Sequence, residues 1–409
     1  MKVYLTNTIE NKTVSVNIPG SKSESNRLLI LKKIYPNIFL HNLSNCDDTL
    51  ALSRGIEAKN GIVDVHHAGT AMRFLTGFFA SKKDIELTLT GSKRMQERPI
   101  KILVDALRLI GADISYVRNN GYPPLKINGK ELVLDSLSID ANISSQYISA
   151  LMLIAPSLHK GLTITLKNKI TSVPYIKMTL ELLCRIGIYC TLNNNIIKIT
   201  STKTIKDITI NIESDWSSAS YYYSLVALSE HLEITLKTFK RDSIQGDSKV
   251  VDLFKKLGVD TIFNETDNAI TLRKNQRKIE NFLNLNLIET PDIAQTIAVT
   301  CFGLGISCEL TGLKTLKIKE TDRLLALKIE LQKLGAELTI TEKSLFLKQR
   351  KTINKNIVID TYDDHRMAMS FAPLYLKVPI IINNPNVVSK SYKTFWKDLQ
   401  KIGGKVLIK

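Results

Sequence analysis

Cysteine is sparse in this 409-residue chain: Cys46, Cys184, Cys190, Cys301 and Cys308, odd in number and without a Cys-x-x-Cys pair. That spacing argues against a zinc centre, and free buried thiols are expected instead. Long apolar runs are missing too. The longest, around Ile297 to Ile306, is about half of what a membrane-spanning helix needs. The first residues, Met1 to Asn17, alternate apolar and polar like a strand and lack the apolar core of a secretory signal, so a cytoplasmic protein with no membrane partner is expected. No Gly-x-Gly-x-x-Gly follows a strand, no Walker loop occurs, and no serine or cysteine triad can be picked out. These absences argue against dinucleotide binding and nucleotide hydrolysis.

What is present is ordinary in kind and uneven in charge. With 44% apolar and 23% charged residues the chain has the composition of a soluble globular protein. Its length predicts two domains of about 200 residues. The formal charge of +17 invites a nucleic-acid reading. The lysines are scattered over the whole chain, however, and no nucleic-acid partner is expected. Small anionic substrates would be drawn by the same field.

One pattern recurs. Two apolar residues three apart end a helix, and a Gly and a strand follow: Leu107 with Ile110-Gly111, Leu183 with Ile186-Gly187, Phe254 with Leu257-Gly258, Leu331 with Leu334-Gly335, and Leu399 with Ile402-Gly403. Each Gly suits the left-handed residue that closes a helix. A degenerate copy ends at Gly55, where Ala51 and Arg54 break the pattern. The intervals between these glycines are 56, 76, 71, 77 and 68 residues. Six units result, each alternating helix and strand, so the class is α/β, with three units in each of two domains. Pro19-Gly20 and the stretch Asn211 to Ser214 interrupt strand patterns and mark candidate crossings between domains.

The chemistry-bearing residues gather at predicted element ends. Lys319-Glu320-Thr321-Asp322-Arg323 places two cations at i, i+4 if helical, a repulsion of roughly 0.2–0.5 kcal/mol unless an anion lies between them. Thr321 or Asp322 would cap. Gly20-Ser21-Lys22-Ser23-Glu24-Ser25-Asn26-Arg27 opens a helix whose free N–H groups and positive dipole end suit an anion. In His67-Ala68-Gly69-Thr70-Ala71-Met72-Arg73 the glycine permits close backbone approach and Thr70 is a possible cap. Arg98 stands before Pro99, placed to grip a planar carboxylate. Ser144-Ser145-Gln146 heads a helix expected from Tyr147, and Thr171 to Tyr175 heads another. Asp292 is either the cap of the helix from Ile293 or a base. Asp363-Asp364-His365-Arg366 and Ser389-Lys390 add cations at element ends. One His beside two Asp lacks metal-ligand geometry, so no metal is expected.

In order along the chain, GSKSESNR, AGTAMR, ERPI, SSQ, SVPY, PDIAQT, KETDR, DDHRMAM and VSKSYKTFW closely resemble the 5-enolpyruvylshikimate-3-phosphate synthase family of enolpyruvyl transferases. The resemblance implies two domains, residues 20–213 and residues 1–19 with 214–409. Each is built of three βαβαββ units with approximate threefold symmetry, and ligands bind in the cleft between them. It implies transfer of the enolpyruvyl group of phosphoenolpyruvate to the 5-hydroxyl of shikimate 3-phosphate, with release of phosphate, in the shikimate pathway. It implies no cofactor, and the chain is expected to act as a monomer. Lys22, Gly69, Arg98, Gln146, Arg323, Arg366 and Lys390 correspond to the phosphoenolpyruvate set. Lys22, Ser23, Arg27, Ser144, Ser145, Gln146, Ser172, Tyr175, Asp292, Thr315 and Lys319 correspond to the shikimate 3-phosphate set. Asp292 would accept the hydroxyl proton, and Glu320, helped by Lys22, would handle the methylene proton.

The chain departs from the family pattern at His67, usually Asn, at Phe74, usually Pro, and at Thr315, often Asn. Gly69→Ala is expected to weaken compounds that mimic phosphoenolpyruvate and to raise its Michaelis constant. A sister enzyme acting on a UDP-sugar would carry a reactive cysteine near residues 90–98, and none is there. An RNA-end cyclase would have only His365 to adenylylate. A polyanion-binding protein would bind nucleic acid without turnover.

Overall fold

The computed structural model describes residues 1–7, 12–142, 144–168, 170–350 and 352–409. The chain divides into two compact units, Gly20–Ile212 and Met1–Pro19 with Glu213–Lys409. Glu213, expected with the former, belongs to the latter. Its buried carboxylate accepts from Trp216 Nε1 at 2.8 Å, the Lys240 amide at 2.9 Å and Ser243 Oγ at 2.5 Å. The alternating N-terminal stretch forms strands Lys2–Asn7 and Lys12–Val16; its residues 8–11 lie outside the described residues.

In the unit Gly20–Ile212, strands Asn60–Asp64 and Glu86–Thr90 run parallel, and a hairpin closes the sheet, its strand Leu125–Asn128 pairing antiparallel with both Glu86–Thr90 and Asp113–Tyr116. Helices Gly69–Ala80 and Lys101–Leu109 fill the connections, giving βαβαββ. Strands Ser136–Asp140, Leu162–Lys167, Cys190–Asn193 and Ile196–Ile199 repeat the plan. The third copy is shorter. Strand Ile38–His41 pairs in parallel with Ile208–Asn211, and this sheet has two strands among the described residues. Helix Asp47–Gly55 is followed directly by strand Asn60–Asp64. The missing hairpin explains both the 56-residue interval and the broken pattern at Gly55. Gly111, Gly187, Gly258, Gly335 and Gly403 all have positive φ, from 85° to 109°. Gly55 instead lies inside its helix.

Among the described residues the other unit holds three four-stranded sheets. In one, Lys12–Val16 pairs with Leu232–Lys237, although the chain between them builds the whole of the other unit. In another, Lys2–Asn7 and Gly404–Ile408 form the closing pair.

Inner and outer helices differ in sequence accordingly. Helix Ala294–Leu304, AQTIAVTCFGL, carries no charge and is buried on every side. It packs against Trp216–Leu228 and His365–Phe371. Helix Lys101–Leu109 turns only Leu103, Val104, Ala106 and Leu107 inward. Each such aliphatic side chain contributes about 1.5–3 kcal/mol by leaving water. Because the parallel strands put each inner helix start at a strand's carboxyl end, polar residues on the first turn are the ones left open to ligand. Gln146 and Ser217 are the only residues of their helices not buried. No described helix is long and apolar enough to cross a membrane. All five cysteines are free, and contrary to expectation Cys184 is exposed and Cys190 half-buried, with their sulfurs 3.0 Å apart.

Candidate active site

In the unit Gly20–Ile212 the motif residues stand at helix starts. Ser21 caps helix Lys22–Ile34 by accepting from the Glu24 amide at 3.4 Å. Lys22 and Ser23 therefore occupy its first turn. Lys22 Nζ donates to Asp48 at 3.1 Å, from the first turn of helix Asp47–Gly55. Helix Ser145–Ile154 starts two residues before its expected start, because the Ser144 hydroxyl accepts from the Gln146 amide at 3.3 Å. Gln146 Nε2 then donates to Thr70 Oγ1 at 3.1 Å. Thr70 is thus not a cap; helix Gly69–Ala80 begins after Ala68 without any side-chain cap. Ser172, left-handed at φ 54°, precedes helix Val173–Arg185, which carries Tyr175 in its first turn.

Two arginines here have contrasting surroundings. Arg27 gives Nε to Thr179 at 2.8 Å, Nη1 to the Ser23 carbonyl at 2.8 Å and Nη2 to Ser149 at 3.1 Å. Its guanidinium lies between the rings of Phe74 and Tyr175, 5.3 and 5.8 Å from their centroids. Burial pushes its pKa down to about 10, with Tyr175 and Glu24 opposing. Most of its donors therefore tie helices together. Arg98 is also buried, at 8% exposure, yet its Nε has no hydrogen-bond partner among the described residues. A methyl group at Gly69 would sit 2.6 Å from Arg98 Nη1. The glycine lets the guanidinium lie across it, and a methyl there would have to displace the end of the Arg98 side chain. Pro99 is separated from helix Lys101–Leu109 by its N-cap residue, Ile100.

In the other unit carboxylates and cations interlock. Helix Arg323–Lys333 is capped by Asp322, which accepts from the Leu325 amide at 3.1 Å. Lys319 and Glu320 precede this helix, so the expected helical pairing of Lys319 with Arg323 does not form. The anion between the two cations is Asp292, whose Oδ1 lies 3.0 Å from Arg323 Nη1 and 3.4 Å from Lys319 Nζ. Its Oδ2 lies 3.2 Å from Arg366 Nη2. Asp292 is not the cap of the helix that follows: residues Pro291–Ile293 form a tight turn into Ala294–Leu304, whose N-cap is Ile293. Arg323 also binds Asp364 at 2.7 Å and Glu320 at 2.8 Å. Burial disfavours its charge, but Asp364, Glu320 and Asp292 outweigh that and hold its pKa above the ordinary value. Burial lowers the Lys319 pKa, against Asp292.

Asp364 caps helix His365–Phe371 through the Arg366 amide at 2.8 Å. Arg366 Nη1 reaches the Asp292 carbonyl at 3.0 Å. Lys390 Nζ donates to the Asp363 carbonyl. Thr315 Oγ1 is buried without a hydrogen-bond partner among the described residues.

Several participants went unread in the sequence: Asp48 and Ser217 were not singled out, Thr70 and Asp364 were named without their partners Gln146 and Arg323, and the most unusual is Asp247. It accepts from Ser217 Oγ, while its Oδ1 is buried without a hydrogen-bond partner among the described residues. Burial, and then the charge of Asp292, push its pKa up to about 7, with Arg366 opposing. The repeat offered a signal: Asp247 lies in the tight turn Gly246–Lys249 that leads into helix Val250–Lys256, and Asp48 lies in the first turn of helix Asp47–Gly55.

Comparison with known proteins bears on this arrangement. Residues 41–399 match the family described as EPSP synthase (3-phosphoshikimate 1-carboxyvinyltransferase). A Bacteroides fragilis protein named 3-phosphoshikimate 1-carboxyvinyltransferase is 44% identical over 404 residues, 98% of each chain. One of the same name from Neisseria meningitidis is 33% identical, covering 94% of this chain and 95% of its own. The structure of EPSP synthase from Acinetobacter baumannii superposes over the whole of both chains with a TM-score of 0.78 at 21% identity, a likeness of fold. The interrupted two-unit α/β architecture, the motif residues at its helix starts and these full-length matches together place the chain in the EPSP synthase family.

Proposed function

We propose that this chain transfers the enolpyruvyl group of phosphoenolpyruvate to the 5-hydroxyl of shikimate 3-phosphate, releasing phosphate. Two anions must be brought together, so fixed cations have to offset their repulsion. Each charge-assisted contact contributes roughly 1.5–3 kcal/mol. In this reading Lys22, Arg98, Arg323, Arg366 and Lys390 hold phosphoenolpyruvate beside Gly69 and Gln146. Ser23, Ser144, Ser145, Ser172, Tyr175, Thr315 and Lys319 hold shikimate 3-phosphate, with Arg27 keeping Tyr175 in place. Both sets come from one chain, so a cytoplasmic monomer suffices.

The proton steps fall to the carboxylates. Glu320 delivers a proton to the methylene carbon of phosphoenolpyruvate while the 5-hydroxyl oxygen bonds to the adjacent carbon. Asp292 accepts the hydroxyl proton. The adduct now bears a methyl group. Glu320 then takes a proton back from that methyl as the carbon–oxygen bond to phosphate breaks, and the proton on Asp292 departs with the phosphate. Lys22 assists by its charge. The cations now on Asp292 and Glu320 are ones that the substrates' own anionic groups would draw away, freeing both carboxylates.

What supports this reading most is Arg98: a buried guanidinium with an unbonded Nε, lying across a glycine where an added methyl would push against its Nη1. Burial of an unsatisfied charged donor is costly and is sustained where a ligand supplies the partner. The test is a coupled phosphate-release assay. Release that requires both substrates is expected. Release from phosphoenolpyruvate alone, or none with both present, would refute the reading.

A further inference from the structure

Two loops meet at the start of helix Gly69–Ala80. The first, residues 65–68, follows strand Asn60–Asp64; the second, residues 91–98, follows strand Glu86–Thr90 and ends in Arg98. Their backbones are joined by Val65 N to Thr90 O and Ser92 N to His66 O, each at 3.0 Å. They touch so closely that a methyl group at Gly91 would lie 2.6 Å from the His66 carbonyl oxygen.

One side-chain link crosses the same junction. His67 Nδ1 lies 2.8 Å from Ser92 Oγ. That oxygen also accepts from the Met95 amide at 3.3 Å, capping the single turn Lys93–Gln96. A hydroxyl oxygen accepting from an amide has its own proton to give, so both contacts are satisfied when Ser92 donates to Nδ1 and the imidazole carries its proton on Nε2. Beyond the turn, Arg98 N donates to the Met95 carbonyl at 3.1 Å. Arg73 fastens the far side, with Nη1 on Met95 Sδ at 3.3 Å and on the Gly69 carbonyl at 3.2 Å. Residue 67 is thus three hydrogen bonds away from the buried Arg98, through Ser92 and Met95, and Arg98 is the cation lying across Gly69.

We propose that His67 is a positioning residue: acting through Ser92, its imidazole fixes the turn that holds Arg98 across Gly69, and so sets affinity for the phosphoenolpyruvate anion without setting the rate of its chemistry. The identity of the anion rests on the function proposed above; the positioning does not. A half-buried hydrogen bond of this kind corresponds to about a five-fold change in binding.

The test uses the full chain with His67→Ala, His67→Asn, Ser92→Ala and the Ala pair. With shikimate 3-phosphate saturating, the Michaelis constant for phosphoenolpyruvate should rise about five-fold in each single Ala variant. The turnover number and the constant for shikimate 3-phosphate should stay within about two-fold of wild type. His67→Asn should recover wild-type values, because its side-chain carbonyl replaces Nδ1 as the acceptor. The Ala pair should be no worse than either single variant, since both cut one path. Hydrogen exchange at the Met95 and Arg98 amides should quicken in His67→Ala at unchanged melting temperature. Unchanged exchange, additive effects in the pair, or a loss confined to turnover would each overturn the proposal. A wild-type protein that turned over neither substrate would instead refute the proposed function, and the exchange measurement would still decide the positioning.

Discussion

The two units hold their polar residues in opposite ways. In the unit Gly20–Ile212 the candidate residues are mainly hydroxyls, amides and backbone N–H groups at helix starts, with Lys22 on Asp48 and the Nε of Arg98 unbonded. In the other unit Asp292, Glu320 and Asp364 are each locked onto Arg323. The contrast assigns different work to each. Hydroxyls and helix starts hold oxyanions without competing for protons, whereas carboxylates near neutral pH accept and release them. Arg98 and Arg323 make the point in miniature: one has a buried donor with no hydrogen-bond partner among the described residues, and the other is occupied by three acids that a ligand must displace.

The contrast can be broken most severely at Asp292. Asp292→Asn should lower turnover on the order of 10³-fold, measured as phosphate release, while shikimate 3-phosphate still binds; near wild-type rates would remove the aspartate from the chemistry. Arg98→Ala should act on the other side of the comparison. It should raise the Michaelis constant for phosphoenolpyruvate about 10- to 100-fold with a much smaller change in turnover. A fall in turnover alone would contradict that division of labour.

Asp247 supplies a stability test. Its pKa rises from 3.8 to about 7 on folding, so the folded state binds the extra proton between those values. Its contribution to stability is complete below pH about 4 and is lost as pH climbs through about 7. Asp247→Asn keeps the shape without the charge and should be more stable than wild type by about 1–3 kcal/mol at pH 8, with little difference at pH 4. Urea unfolding at the two pH values measures this, and an equal effect at both would rule out the buried proton. Gly69→Ala should have the smallest effect. The added methyl displaces the end of the flexible Arg98 side chain, so a rise of a few-fold in the phosphoenolpyruvate constant, about 0.5–1 kcal/mol, is expected, together with weaker inhibition by mimics of that anion. Unchanged inhibition would show that Arg98 yields freely.

Much of this was legible in residue order. Glycines at helix ends announced five of six repeats because a left-handed residue has few alternatives to Gly. The degenerate sixth marked the copy that lacks its hairpin. Motif residues were found because helix starts concentrate unpaired N–H groups wherever they occur. What could not be read was partnership across the chain. Lys319 and Arg323 looked like a helical pair, but their shared anion, Asp292, is far away in sequence. Arg27 and Arg98 were both expected to be ligand cations, and only the fold shows Arg27 tied to Thr179 and Ser149 and packed against Phe74 and Tyr175. Asp247 is unusual only because it is buried beside Asp292 and Arg366.

Deuterium incorporation tests the division between the units most directly. With both substrates in D2O, passage through a methyl-bearing adduct should place deuterium on the vinyl carbon of the product. Glu320→Gln should abolish that incorporation, and Arg98→Ala, at saturating phosphoenolpyruvate, should retain it. Wild-type incorporation in Glu320→Gln, or its loss in Arg98→Ala, would contradict the assignment of proton chemistry to the carboxylate-rich unit.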